Sequence, residues 1–165
     1  MAFATRLPAA LAALAFGVLT FAAASAAEMS PSAVAQADGV LRLHSARSFD
    51  DTVAGVKSAV AAKGVKFFDA IDQSKLGADA GLKVGRSTLV LFGNPPLGVQ
   101  FLQSNPYAGL DWPVRMLVTE DAAGGVWLAW TDFGYIAKRY QIADKAAQFK
   151  MASEVAASIA ADAAR

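Results

Sequence analysis

One histidine, His44, and no cysteine restrict what this chain can do chemically. Zinc, copper and iron sites are built mainly from imidazole and thiolate ligands, and a lone imidazole does not complete such a set. No transition metal is expected. Loops of alternating carboxylates that would cage a harder cation are missing too, and Asp50-Asp51 sits where a helix should begin. A serine or threonine nucleophile would have to use His44 as its base, and no Gly-x-Ser-x-Gly elbow is present. His44 lies in a strand-forming run, where a surface or edge position is the ordinary one. Glycine-rich nucleotide loops are absent, so no cofactor is expected.

Carboxylates and aromatics remain. Asp69, Asp111, Glu120 and Asp132 would serve metal-free acid–base chemistry if the fold brought two of them within about 5–9 Å in a cleft. Asp69 is notable for its neighbours Phe67, Phe68 and Ile71. Arg115 alternates with Val114 and Met116; it reads as an outward arginine bridged to Asp111 or Asp132, or as an anion anchor at a pocket mouth. Tyr107, Trp112, Trp127, Trp130 and Tyr135 form an aromatic supply late in the chain. Phe92–Met116, FGNPPLGVQFLQSNPYAGLDWPVRM, holds four of the six prolines. Rigid turns beside a sheet hold polar groups over an apolar floor. The candidate ligand-binding residues are therefore Trp112, Arg115, Trp130 and Asp132.

Those residues need elements to position them. Val40–Ala46 alternates as a strand, with Leu41, Leu43 and Ser45 on one side and Val40, Arg42 and His44 on the other. Ser48 followed by Asp51 marks a helix start, Phe49, Val53, Val56 and Val60 form its apolar stripe, and Lys63-Gly64 its stop. Val65–Asp72 is a strand, and a polar stretch, Gln73–Gly85, leads to Arg86–Phe92. The near-continuous apolar character of that run predicts a central strand covered on both sides. Asn94 with Pro95 and Pro96 opens a short helix to Ser104, which Asn105-Pro106 ends. Val114–Glu120 and Val126–Thr131 are strands joined by the hairpin loop Asp121–Gly125, and the parity of Trp127 and Trp130 sends one indole to each sheet face. A helix carrying Met151, Ala152, Val155, Ala156 and Ile159 runs from Asp144 to the end. The fold class is α+β: a two-layer sandwich, mostly antiparallel, with helices on one face. The second sheet face then needs a cover, which the short helix, a ligand or another subunit would supply.

The N-terminus reads separately. Arg6 precedes an apolar run that ends at Ala24-Ser25-Ala26, the pattern of a secretory signal peptide over residues 1–26, cut after Ala26 or Ala27. Residues 27–39 read as a flexible lead-in and 40–163 as a single domain. Cleavage removes Arg6 and leaves basic and acidic residues equal in number, which argues against nucleic-acid binding. The expected location is periplasmic or secreted, with no stable membrane anchor after cleavage. At 55% hydrophobic and 18% charged, the 165-residue chain has ample material for a core without disulfides.

The segments FGNPPLG, NPYAGLDWPVRMLVTED and GGVWLAWTDFGYIAKRY resemble the bacterial family called domain of unknown function 302, over about Arg42 to Ile142. Phe133 stands where the family commonly has proline, and Tyr140 where it commonly has histidine, so any role of that histidine has no counterpart here. The resemblance implies a β-α-β4-α domain similar in topology to half of the TATA-box-binding protein, here with a short inserted helix, and a tendency to homodimers. It implies no established activity.

Three functions follow as expectations. The first is an exported binding or sensing module, dimeric, taking a small apolar or anionic ligand. The second is an accessory protein whose free sheet face is a dimer interface. The third, least favoured, is a metal-free hydrolase-like enzyme using carboxylates; binding is preferred to catalysis.

Overall fold

A computed structural model describes residue 1, residues 33–35 and residues 38–165. The signal-peptide reading and most of the lead-in lie outside the described residues. The elements are β1 (Val34–Ala35), β2 (Val40–Ser45), α1 (Phe49–Ala62), β3 (Lys66–Asp72), α2 (Gln73–Asp79), β4 (Ser87–Gly93), α3 (Pro95–Ser104), a 3₁₀ turn (Pro106–Asp111), β5 (Val114–Glu120), β6 (Val126–Thr131), α4 (Phe133–Arg139) and α5 (Ala146–Ala163). The strands form one antiparallel sheet in the order β1-β2-β6-β5-β4-β3. Strands β2 to β6 with α1 and α5 make the expected β-α-β4-α frame, and α3 is the inserted helix.

Local chemistry accounts for the element ends. The Ser48 hydroxyl accepts from the Asp51 N–H at 3.2 Å and donates to the Asp51 carboxylate at 2.7 Å. Gly64 takes φ +63° just past the end of α1, a conformation that costs glycine little. Asn94 caps α3 by accepting from the Leu97 N–H at 3.4 Å, and the two prolines occupy the first turn, where an N–H is not needed. The Trp112–Pro113 peptide bond is cis.

The core lies between the sheet and its helices. Val56 and Val60 of α1, Val90, Met116, Val118 and Leu128 of the sheet, and Ile159 of α5 are fully buried. Each such side chain contributes about 1.5–3 kcal/mol relative to exposure. Helix α5 lies against α1 at Gly55, where a Cβ would stand 3.0 Å from the Cα of Ala163. The chain end is tied back to the sheet by the Ala46 N–H, which donates to the Ala164 carbonyl at 2.9 Å.

Several expectations change. Among the described residues, strand β4 is covered by helices on one side only: Val90 and Phe92 are buried under helices, while Leu89 and Leu91 are half-buried on the open face. On that face Leu89 stands beside Leu117, Leu117 beside Ala129, and Thr119 beside Trp127. The polar stretch after β3 contains α2, capped by the Asp72 carboxylate on the Lys75 N–H at 2.9 Å. The segment DFGYIAKR forms α4; too short to show periodicity, it is held by the Asp132 cap and by burial of Phe133 and Ile136. Helix α5 begins at Ala146 rather than Asp144. Within the lead-in, Val34–Ala35 pairs with β2. Strand β3 is an edge, and its bulge between Phe67 and Asp69, together with exposed Lys66 and Asp69, discourages further pairing.

Candidate functional site

Where β4 ends and α3 begins, the helical layer does not close. A cavity of ≈ 100 Å³ opens between α3, α5, the end of α1 and the adjoining ends of β4 and β5. Its floor is apolar and buried: Phe92, Phe101, Phe133 and Ala156. Its mouth carries Lys63, Asn94 and Met151, all exposed. Phe101 stacks on Phe149 with ring centroids 4.2 Å apart, which pins α3 to α5. Trp112 forms a wall. Its indole lies so close on the backbone of α3 that a Cβ on Gly98 would stand 2.5 Å from Cδ1 and nearer still to Nε1 and Cε2. Gly93 leaves room for the same ring, and Phe68 meets it edge-on at 5.9 Å.

The charged group at the mouth is already paired. Lys63 Nζ lies 2.9 Å from the Asp162 carboxylate, which Arg165 also contacts at 2.6 Å. The hydrogen bond from Lys63 is the main reason the Asp162 carboxyl sits below its ordinary pKa; burial opposes it and Arg165 adds to it.

Beside the cleft lies a polar cluster. The Asp111 side chain, 3% exposed, accepts from the Tyr140 hydroxyl at 2.7 Å, from Arg139 at 3.3 Å and from Arg115. Donation to Asp111 is the largest cause of the raised pKa of the Tyr140 phenol, with burial adding to it. The cluster ties the 3₁₀ turn to β5 and α4. It borders a cavity of only ≈ 10 Å³, about the space of one water, lined by Asp111, Val114, Arg115, Thr131, Phe133 and Ile136. Val114 and Phe133 line both cavities.

The four residues expected to share a site are distributed. Trp112 walls the cleft. Arg115 stands one cavity away on the open sheet face, bound to Asp111, which is one of the two partners expected for it. Trp130 is 3% exposed on the helix side, and its Nε1 has no hydrogen-bond partner among the described residues. Asp132 caps α4, accepting from the N–H groups of Gly134 and Tyr135 at 3.1 and 3.3 Å. Nor, among the described residues, do Asp69, Asp111, Glu120 and Asp132 pair in either of these cavities. Asp69 is exposed on the edge strand, and Asp111 is the one acid lining its small cavity. Among the described residues no three His, Asp or Glu side chains gather as a metal site. Sequence reasoning missed Lys63, Gly98 and Met151 as cleft residues. The available signals were a glycine inside α3 and a stripe on α5 that includes Met151 and Val155, which the sheet leaves partly uncovered.

The family model described as Domain of unknown function DUF302 matches residues 41–162. The chain belongs to the DUF302 family. A solved structure, the uncharacterized conserved protein DUF302 from Bacillus stearothermophilus, aligns with a TM-score of 0.68 over 77% of this chain and 98% of that one, at 12% identity. At that identity the likeness speaks for the DUF302 fold alone. Two curated relatives carry the name Fluoride-specific ion channel FluC 1. The one from Brucella suis biovar 1 (strain 1330) is 32% identical over 104 residues, 63% of this chain and 41% of that protein. The one from Brucella abortus biovar 1 (strain 9-941) is 32% identical over the same length, 38% of that protein. The chain thus spans about two fifths of these relatives. No helix among the described residues is long and apolar enough to cross a membrane.

Proposed function

We propose that this DUF302 domain is an exported small-molecule-binding or sensing module whose site is the cleft walled by Trp112. The observation that carries the reading is the cleft itself: a buried aromatic floor below a mouth with one charged and one amide side chain. Binding sites are mostly apolar concavities with a few placed polar groups. Catalysis has less support, because Asp111 is occupied by two arginines and a tyrosine and Asp132 by a helix start. A module of this kind carried within proteins named as ion channels fits a sensing role. Native mass spectrometry of protein purified from its host tests the reading. A retained small-molecule mass that disappears on mild denaturation is expected. Bare protein, together with no thermal shift from any small aromatic or short-chain probe, would sink it.

A second reading concerns the open sheet face. Leu89, Leu91, Leu117, Ala129 and Trp127 form an apolar surface with no helix over it among the described residues. Asp69 and Arg115 flank Leu91 in one row across the sheet. A two-fold axis through that row would set each Arg115 opposite the other copy's Asp69, the self-complementarity an isologous dimer needs. We propose a homodimer through this face. Light scattering should give twice the chain mass, and Leu117→Glu should halve it; a monomeric wild-type protein at micromolar concentration refutes the proposal.

A further inference from the structure

We infer that the cleft selects a small apolar molecule ending in a carboxylate, of single-ring or short-chain size. The inference rests on the binding reading above and adds the chemistry of the ligand's head. Both polar groups at the mouth can donate to a ligand. Asn94 spends its carbonyl oxygen on the Leu97 N–H, while its amide nitrogen has no hydrogen bond among the described residues. Lys63 is the one charged residue lining the cleft. Its present partner, Asp162, has a second cation in Arg165 at 2.6 Å, so Lys63 can turn to a ligand without leaving Asp162 unpaired. A ligand offering only acceptors, and one negative charge, satisfies this pair. An ammonium would meet a like charge at Lys63. The size follows from the cleft volume of ≈ 100 Å³, somewhat below the ~150 Å³ engineered cavity that takes up benzene. The flat indole of Trp112 on the wall and the three phenylalanines of the floor suit a ring or a short alkyl tail, with Met151 as an adaptable edge.

Two pairs of probes test this on the whole protein: benzoate against benzyl alcohol, and hexanoate against 1-hexanol, titrated by calorimetry at low salt. Each carboxylate should bind at least tenfold tighter than its alcohol, and the advantage should shrink as salt rises. Lys63→Met keeps the aliphatic stem and should remove most of that tenfold, leaving the alcohols within about twofold of wild type. Asp162→Asn frees Lys63 and should raise carboxylate affinity, which a purely structural Lys63–Asp162 bridge would not do. Equal binding of acids and alcohols, or a Lys63→Met protein with undiminished preference, overturns the carboxylate inference while the cleft reading stands. If none of the four probes binds, the carboxylate inference falls, and the cleft reading falls with it only where native mass spectrometry also finds bare protein.

Discussion

Replacing Gly98 by alanine puts one methyl group where the Trp112 indole already lies. The new Cβ would be 2.5 Å from Cδ1 and closer to two other ring atoms, against an ordinary carbon–carbon contact of about 3.5–4.0 Å. The ring must therefore move by more than an ångström. The ring also lies close on the backbone of Gly93, which limits movement on that side, and the edge of Phe68 limits it on another. What remains is a swing into the cleft. Overpacking of this kind costs about 1–3 kcal/mol. Alanine returns up to about 1 kcal/mol through its better helix propensity. The net expectation is a loss of roughly 1–2 kcal/mol, seen as a fall in melting temperature of several degrees. Differential scanning calorimetry measures the fall, and the probe titration measures the filled cleft. Trp112→Phe in the same background removes the offending part of the ring and should restore much of the stability. A Gly98→Ala protein that melts at or above wild type and binds unchanged would show that the indole does not rest on α3, and the cleft geometry would fall with it.

The Asp111 cluster should behave as a structural unit. Asp111→Ala leaves a buried phenol without its acceptor and two guanidinium groups that must turn to water, a cost of about 2–3 kcal/mol; Arg115→Ala leaves Arg139 and Tyr140 in place and should cost under about 1 kcal/mol, because Arg115 is 45% exposed. Equal losses in urea titrations of the two variants would contradict that ranking. The raised pKa of Tyr140 makes a stabilising contribution that is complete below the unfolded value of about 10 and is lost as pH rises through the folded value. Alkaline unfolding should therefore lose that increment in Tyr140→Phe, and an unchanged alkaline slope would refute it. Asp50, Asp121, Asp144 and Asp162 have lowered pKa values, caused chiefly by hydrogen bonds from Arg86, Trp127, Lys145 and Lys63, so their contribution is present above about pH 4 and fades below it. Export with cleavage after Ala26 or Ala27 predicts a mature N-terminus at Ala27 or Glu28 in protein from the native host; an intact Met1 in the membrane fraction refutes it.

Much of the architecture follows from local rules that one stretch of chain carries by itself. Ser48 and Asp51 cap α1, Asn94 with Pro95 and Pro96 starts α3, and the alternation through Val126–Thr131 sends Trp130 inward and Trp127 outward. These are short-range effects of hydrogen bonding and sterics, so their signals survive without a partner. The resemblance of the NPYAGLDWPVRM and DFGYIAKRY segments to DUF302 also lies in the sequence, and the family match over residues 41–162 agrees with it. Where a side chain ends up across the fold is a different kind of fact. Trp112 and Arg115 are three residues apart, yet one walls a cleft under helices and the other lies on the opposite sheet face, because the chain enters β5 between them. Lys63 and Met151 are far apart in sequence and meet only because α1 and α5 pack side by side. The apolar run of β4 looked fit for burial on both sides, but the number of helices and the side they pack on decided otherwise, leaving Leu89 and Leu91 on an open face. Local capping and periodicity thus determined most of the elements, α2 and α4 excepted. Only the packing of helices on one side of the sheet, a long-range property, decided where a ligand finds a floor.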